Sequence, residues 1–462
     1  MKIAFFTDSF LPNTDGVAVV TDEIAQYLAK KGHKITIVCP GNTTEIVKQS
    51  GYKVIRIKSY SIKLYEEHKV CFKTPEYLEQ LDDFSKYDLI HLQTNVTLAS
   101  IGFMVALKYN KPISCTFHTN IADFVTSFFD ENVLMGKKNI MYDLIGKNKI
   151  ILSILRKFSD SIMWKLTRDF HNAVPSTSVP SHYCKALLRK KGVKNDIFVI
   201  PNPVNPSHSG REYFKKFPVK DKFVLLHVGR LSVEKRVNLL IEAAAELKDK
   251  IPNLQIIICS EGPMRSYLER IAKRKHVEKI VKFTGWVSRD ELNFLYEQSS
   301  IVTGFGLFET FNLCIAEALI YGKPVVVSDA GPLSEFVNNN GFVVPVNNEE
   351  VVKISESILK LYSNKSLYNK YSLNSRKLGK AYNYDDTMTV FENYLINSEK
   401  ANKILFKHYV NYIRYVSSIS AAINTLFFTL SLKFKQFDKI QEAMDDFIKS
   451  VSSSLPKFKK SF

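Results

Sequence analysis

Glu309 and Glu317 stand eight residues apart within GFGLFETFNLCIAEALIYGKPVVVSDAG, the segment from Gly304 to Gly331. Two carboxylates so spaced around a helix start can hold the hydroxyls of a sugar and of a ribose, with phosphates between them. Asn312 to Tyr321 reads as the helix, with Thr310 or Asn312 as its N-cap. Its start offers unpaired backbone N–H groups and a partial positive charge near Phe311, Asn312 and Leu313, where a diphosphate fits. Glu309 then lies in the loop at the mouth. Glu317 lies about 7 Å deeper, at about 1.5 Å of rise per residue.

A second constellation is cationic. The apolar run Phe223 to His227 leads into Gly229, Arg230 and, after Leu231 to Glu234, Lys235; a helical run, Leu239 to Leu247, follows. Arg230 offers a planar fork and Lys235 a mobile point charge, and together they can neutralise a diphosphate as its bond to a sugar breaks. A Glu pair alone, or two loop cations alone, would be explained as well by solvated charges. Their joint presence is more specific.

These residues resemble the retaining glycosyltransferases of family 4, whose hallmark is a Glu-x7-Glu pair downstream of a Gly-Arg…Glu-Lys loop. The resemblance spans roughly residues 1 to 400 and includes Asp8-Ser9-Phe10-Leu11-Pro12 with Asp15-Gly16-Val17, Phe117-His118-Thr119-Asn120, Pro201-Asn202-Pro203, Glu261-Gly262-Pro263 and Phe283-Thr284-Gly285-Trp286-Val287. Two positions depart from the family: Asn312 and Asp15 stand where members usually or often carry Gly. Asn tolerates unusual backbone angles, which would let the loop keep its shape.

The resemblance implies the GT-B fold: two doubly wound, Rossmann-like α/β domains facing a cleft. It implies a nucleotide-sugar donor, with UDP-hexose the first choice and GDP-hexose the alternative, and no bound cofactor or metal. It places His118 beside the transferred sugar and the acceptor, hydrogen-bonding a hydroxyl or orienting the acceptor rather than acting as a general base. The leaving diphosphate itself can take the acceptor proton while cations and helix N–H groups hold its charge. Gly16 would let the backbone approach a phosphate or sugar. Glu261 and Val287 would help wall the nucleotide base.

Those positions need a scaffold, and the hydrophobic pattern supplies one. Strand-type runs alternate with helical ones: Ile3 to Thr7, helix Val17 to Lys31, Ile35 to Cys39, Val54 to Ile57, Leu89 to Leu92, helix Leu98 to Tyr109, Ile113 to Phe117. Such alternation predicts a parallel sheet. The stretch from Asn202 to Gly210 breaks the pattern. A second series begins at Phe223 and runs through Gln255 to Cys259, helix Arg265 to Arg274, Ile280 to Phe283, helix Arg289 to Gln298 and Ile301 to Thr303. The expected domains are 1–205 on the acceptor side, 206–380 for the nucleotide sugar, 381–400 as a helix returning to the first domain, and 401–462 as a helical extension. In open parallel sheets ligands bind beyond the carboxyl ends of strands, where Gly16, His118, Arg230 and Glu309 all fall.

At 462 residues the chain exceeds a single core. Its six cysteines form no Cys-x2-Cys pair and read as buried thiols in a reducing compartment. No window reaches the ~18 uninterrupted apolar residues of a membrane span. The N-terminus lacks the pattern of a signal peptide, so a cytoplasmic location is expected.

The net charge of +18 calls for an acidic partner. From 131 to 170 eight cations stand against four acids, and from 401 to 462 ten stand against four, among apolar residues at helical spacing. Basic amphipathic helices lying on an anionic membrane explain both charge and pattern, although a helical cap on the fold would share the pattern. No nucleic-acid module is present. The resulting expectation is a peripheral enzyme on the cytoplasmic face of the membrane, passing glucose or galactose to diacylglycerol. Alternatives are a hexosyltransferase of cell-surface polysaccharide or of phosphatidylinositol mannosides, and, in another class, a nucleotide-sugar-binding membrane scaffold.

Overall fold

Val325, Val326 and Val327 are fully buried, as a β-branched run must be when helices cover both faces of its sheet. The same holds for Leu89–Leu92, Ile113–Thr116 and Ile301–Gly304, in which every residue is buried. The computed structural model describes residues 1–400 apart from 14, 63–64, 72, 96, 124–148, 206–215 and 218.

The first domain carries β1 (Lys2–Phe6), α1 (Gly16–Lys30), β2 (Lys34–Gly41), β3 (Glu45–Gln49), β4 (Tyr52–Lys58) and a hairpin of β5 (Tyr60–Ile62) and β6 (Tyr65–Val70). It continues with α2 (Pro75–Glu79), β7 (Leu89–Leu92), α3 (Thr97–Lys108), β8 (Ile113–Thr116), α4 (Lys149–Ala173), β9 (Ser176–Val179), α5 (His182–Lys190) and β10 (Asp196–Val199). Its eight-stranded sheet has the order β10-β9-β8-β7-β1-β2-β4-β3 and is parallel except for β3.

The second domain carries β11 (Phe223–Val228), α6 (Asn238–Leu247), β12 (Leu254–Cys259), α7 (Arg265–Arg274), β13 (Val281–Gly285), α8 (Arg289–Gln298), β14 (Ile301–Gly304), α9 (Leu313–Ile320), β15 (Val325–Ser328), β16 (Gly341–Val344), α10 (Glu350–Ser363) and α11 (Lys365–Gly379). Its six strands lie in the order β13-β12-β11-β14-β15-β16, all parallel.

Each sheet has a core on both faces. In β1, Ala4 and Phe6 point into one cluster while Ile3 and Phe5 point into the other. The second cluster is completed by Met388, Phe391, Tyr394 and Leu395 of the last described helix, α12 (Tyr384–Lys400), which follows the second domain and packs back on the first. The Tyr394 hydroxyl donates to the carbonyls of Cys115 and Ser176 at 3.0 and 3.2 Å, tying α12 to β8 and β9. The fold is the expected pair of doubly wound α/β domains.

Among the described residues no helix is long and apolar enough to cross a membrane. Residues 401–462, and 131–148 of the first basic segment, lie outside the described residues.

Candidate active site

In the second sheet the chain starts at β11, moves outward to β12 and β13, and returns to β14 on the other side of β11. The loops leaving β11 and β14 therefore diverge at this switch point and leave a crevice between them. The first loop carries Gly229, Arg230 and a 3-10 turn, Val233–Lys235; the second carries Phe305 to Asn312. They are stitched together by Leu307 N donating to Glu234 O at 3.0 Å and by Arg236 Nε donating to Phe305 O at 2.9 Å. Arg236 sits at φ 50, and its guanidinium also binds Glu350 with both nitrogens, at 2.6 and 2.8 Å.

Across this crevice Lys235 Nζ lies 2.7 Å from Glu309 Oε1. Their side chains are 28% and 11% exposed, so the pair is only partly screened by solvent. Burial opposes the lysine charge, but Glu309 and then Glu234 outweigh it and hold the ammonium above the ordinary lysine range.

Helix α9 begins immediately behind. Asn312 is its N-cap: Oδ1 accepts from Ile315 N at 3.0 Å, and Nδ2 donates to Glu309 Oε1 at 3.3 Å. Of the two caps the sequence allows, this side chain takes the role. Its φ of −171 is extended backbone that any residue adopts, so tolerance of unusual angles does not explain the asparagine. Capping and the bond to Glu309 do. With Ile315 N taken by the cap, the first-turn N–H groups of Leu313 and Cys314 remain at the helix mouth, where an anion is favoured. Phe311 contributes only backbone there, since its ring is buried against Phe336 and Tyr382, 5.2 and 5.7 Å away.

Glu317 is 6% exposed on α9 and is ion-paired with Arg289, the first residue of α8. Arg289 also donates to the carbonyl of Asn205 at 3.3 Å. Sequence reasoning missed Arg289, because nothing local joins the start of one helix to the middle of another. Glu261 follows β12; its carboxylate accepts from Arg265 at 2.7 Å, and its carbonyl accepts from Leu231 N at 3.0 Å. Gly262 is required beside it, since a Cβ there would stand 2.4 Å from Leu231 O. Val287 packs on the core at the end of β13, while Trp286 is 59% exposed.

The first domain presents its own strand ends. Asp15 caps α1, accepting from Val17 N and Ala18 N at 3.0 and 3.1 Å, a role that a glycine side chain could not fill. Asp8, in the same motif, accepts from Leu98 N at 2.9 Å and so caps α3. Gly16 faces the second domain, since a Cβ built on it would meet Leu313 Cδ1 at 3.4 Å.

His118 follows β8 and is 8% exposed. Burial pushes its imidazole down to about 4, so it is neutral near pH 7. Its Nε2 lies 2.8 Å from the side-chain amide of Gln93, which fixes the ring at the end of β8. Thr310 Oγ1 donates to the His118 carbonyl at 2.6 Å, joining the two domains next to Glu309.

The structure thus gathers Lys235, Glu309, Asn312 and the start of α9 at one crevice, with Gly16 and His118 across the seam. Among the described residues no group of three or more His, Cys, Asp or Glu is placed to hold a metal ion.

The chain was compared with known proteins. The model "Glycosyltransferase Family 4" matches residues 14–208, and "Glycosyl transferases group 1" matches residues 210–378. An alpha-monoglucosyldiacylglycerol synthase of Streptococcus pneumoniae is 23% identical over 352 residues, 74% of each chain. A GDP-mannose-dependent alpha-mannosyltransferase of Corynebacterium glutamicum is 26% identical over 357 residues, 75% of this chain and 77% of the relative. Among solved structures, Anabaena HepE in complex with UDP-glucose superposes with a TM-score of 0.64 at 17% identity, covering 86% of this chain and all of that one. With both domains matched and the two-domain architecture shared, the chain belongs to the family 4 glycosyltransferases and is an enzyme of that kind.

Proposed function

We propose that the protein is a retaining hexosyltransferase that moves a sugar from a nucleotide-sugar donor to a membrane lipid, with diacylglycerol the first acceptor and glucose or galactose the sugar. The observation that carries this reading is the Lys235–Glu309 pair at the mouth of α9. A donor diphosphate set on the Leu313 and Cys314 N–H groups would meet Lys235 and Arg230 as its charge develops. Glu309 would hold the hexose hydroxyls and Glu317 the ribose. Neutral His118 would position sugar and acceptor instead of carrying a proton. The expelled phosphate oxygen takes the acceptor hydroxyl proton as the new glycosidic bond forms on the same face.

The lipid acceptor is supported by the name of the pneumococcal relative, a glucosyldiacylglycerol synthase. A membrane surface is supported by α4 and α5. Phe158 is 64% exposed between Lys157 and Ser159, with Arg156 and Lys157 also exposed, and Arg189 and Lys190 are exposed on α5. A second reading is mannosyl transfer from GDP-mannose to an inositol lipid; the name of the GDP-mannose-dependent relative supports its donor.

The test offers radiolabelled UDP- and GDP-hexoses with diacylglycerol, phosphatidylinositol and polyprenyl phosphate. A single α-linked glycosyl-diacylglycerol, formed equally well with EDTA present, is the expected product. Label on inositol lipid alone would move the assignment to the second reading, and no lipid product from any pair would overturn both.

A further inference from the structure

Helix α5 of the first domain begins at His182, and its first N–H groups need partners outside the helix. Ser181 supplies one, its hydroxyl accepting from Cys184 N at 3.2 Å. The other two are taken by the opposite domain. Glu335, in the 3-10 turn Leu333–Phe336 after β15, accepts from His182 N through Oε2 at 3.0 Å and from Tyr183 N through Oε1. Both oxygens of one carboxylate thus face the positive end of a nine-residue helix.

This loop also touches the candidate site. A Cβ on Gly331 would stand 3.0 Å from the carbonyl oxygen of Glu309, so the segment leading to Glu335 presses on the Glu309 backbone. Beside it, Ser181 Oγ donates to Thr310 O at 2.8 Å, and Thr310 Oγ1 donates to His118 O. One short loop therefore grips α5 on one side and supports Glu309 on the other.

We propose that Glu335 is a positioning residue, a reversible clamp that fixes the first domain against the Glu309 loop and sets the separation of His118 from Glu309 during transfer. Its kinetic consequence rests on the transferase reading above; the clamp itself does not. The bonds to His182 and Tyr183 are solvent-exposed. Their charge component is screened by salt, which suits a contact that forms and releases in each turnover.

The test uses the full chain as wild type, Glu335→Ala, Glu335→Gln and Glu335→Asp. Hydrogen exchange at the His182 and Tyr183 amides should accelerate at least about tenfold in Glu335→Ala, with β8 and β9 unchanged. In Glu335→Ala and Glu335→Gln, kcat should fall about tenfold while the UDP dissociation constant stays within about twofold, and Glu335→Asp should recover part of the rate. Unchanged exchange at those amides would overturn the clamp. So would a parallel loss of kcat and UDP affinity, which would place the action of Glu335 within the donor domain. A wild-type enzyme without transfer would remove the proposed activity, and the exchange result would still decide the clamp.

Discussion

Lys235 and Glu309, 74 residues apart in the chain, meet at 2.7 Å across the crevice where the strand order of the second sheet reverses. Each sits on a loop leaving a central strand, and Glu309 holds the Lys235 ammonium above the ordinary lysine range against its burial. The ammonium is in turn aimed at the mouth of α9, where phosphate charge is favoured.

Removing the cation should weaken donor binding without collapsing the domain. Lys235→Ala is expected to raise the UDP dissociation constant at least about tenfold, or ~1.4 kcal/mol, in calorimetric titration. Equal affinity in the variant would show that Lys235 does not face the phosphates.

The N-cap of α9 is separable from its contact with Glu309. Asn312→Ala should destabilise the protein by about 1 kcal/mol, and Asn312→Gly by only a few tenths, in chemical denaturation. An equal loss in the two variants would mean that the bond from Asn312 Nδ2 to Glu309, which both remove, rather than the cap, dominates.

Acid should destabilise the fold through its buried imidazoles. His118 is pushed from 6.5 down to about 4, His227 likewise to about 4, and His91 and His171 to about 3, all by burial first. Between the folded values and 6.5 the unfolded chain binds protons that the folded chain refuses. The stability is thus fully present above 6.5 and is lost as pH falls toward 4. His118→Gln should flatten the decline in melting temperature between pH 6.5 and 4, and an unaltered slope would contradict its burial as a neutral group.

Glu23 on α1 behaves in the opposite sense. Burial pushes it from 4.5 up to about 7, against the pull of Arg289 and with Glu317 and Asp22 adding to the rise. Its contribution is fully present below 4.5 and is lost as pH rises through 7. Glu23→Gln should therefore melt higher than wild type at pH 8 and equally at pH 4, measured by calorimetry; the same difference at both values would rule out titration as the cause.

How much of this was legible in the sequence follows from where each signal lies. The Val325–Val327 run and the alternation around β1, β7 and β11 are local and apolar, and they give the two sheets directly. Strand β9 carries Ser176, Thr177 and Ser178, and hides because its hydroxyls are satisfied inside the fold. Thr116 and Ser178 pair at 2.6 Å, and Asn195 donates to Thr177 at 2.8 Å. No hydrophobic period marks such a strand. At the site, Arg230, Lys235, Glu309 and Glu317 stand out by type and spacing. Arg289 and Glu335 do not, and Thr310 is visible only as a possible cap, since their partners lie on other elements or in the other domain. Asn312 was visible as a departure from relatives, but its reason became plain only from its bonds to Ile315 and Glu309.

The measurement closest to the central claim is transfer by Glu309→Gln. With labelled UDP-hexose and diacylglycerol, the wild type should form glycolipid. The variant should lose at least about a hundredfold in kcat, roughly 2.7 kcal/mol, with UDP affinity and melting temperature near wild type. A variant that transfers sugar at the wild-type rate would contradict the assignment of this crevice as the donor site.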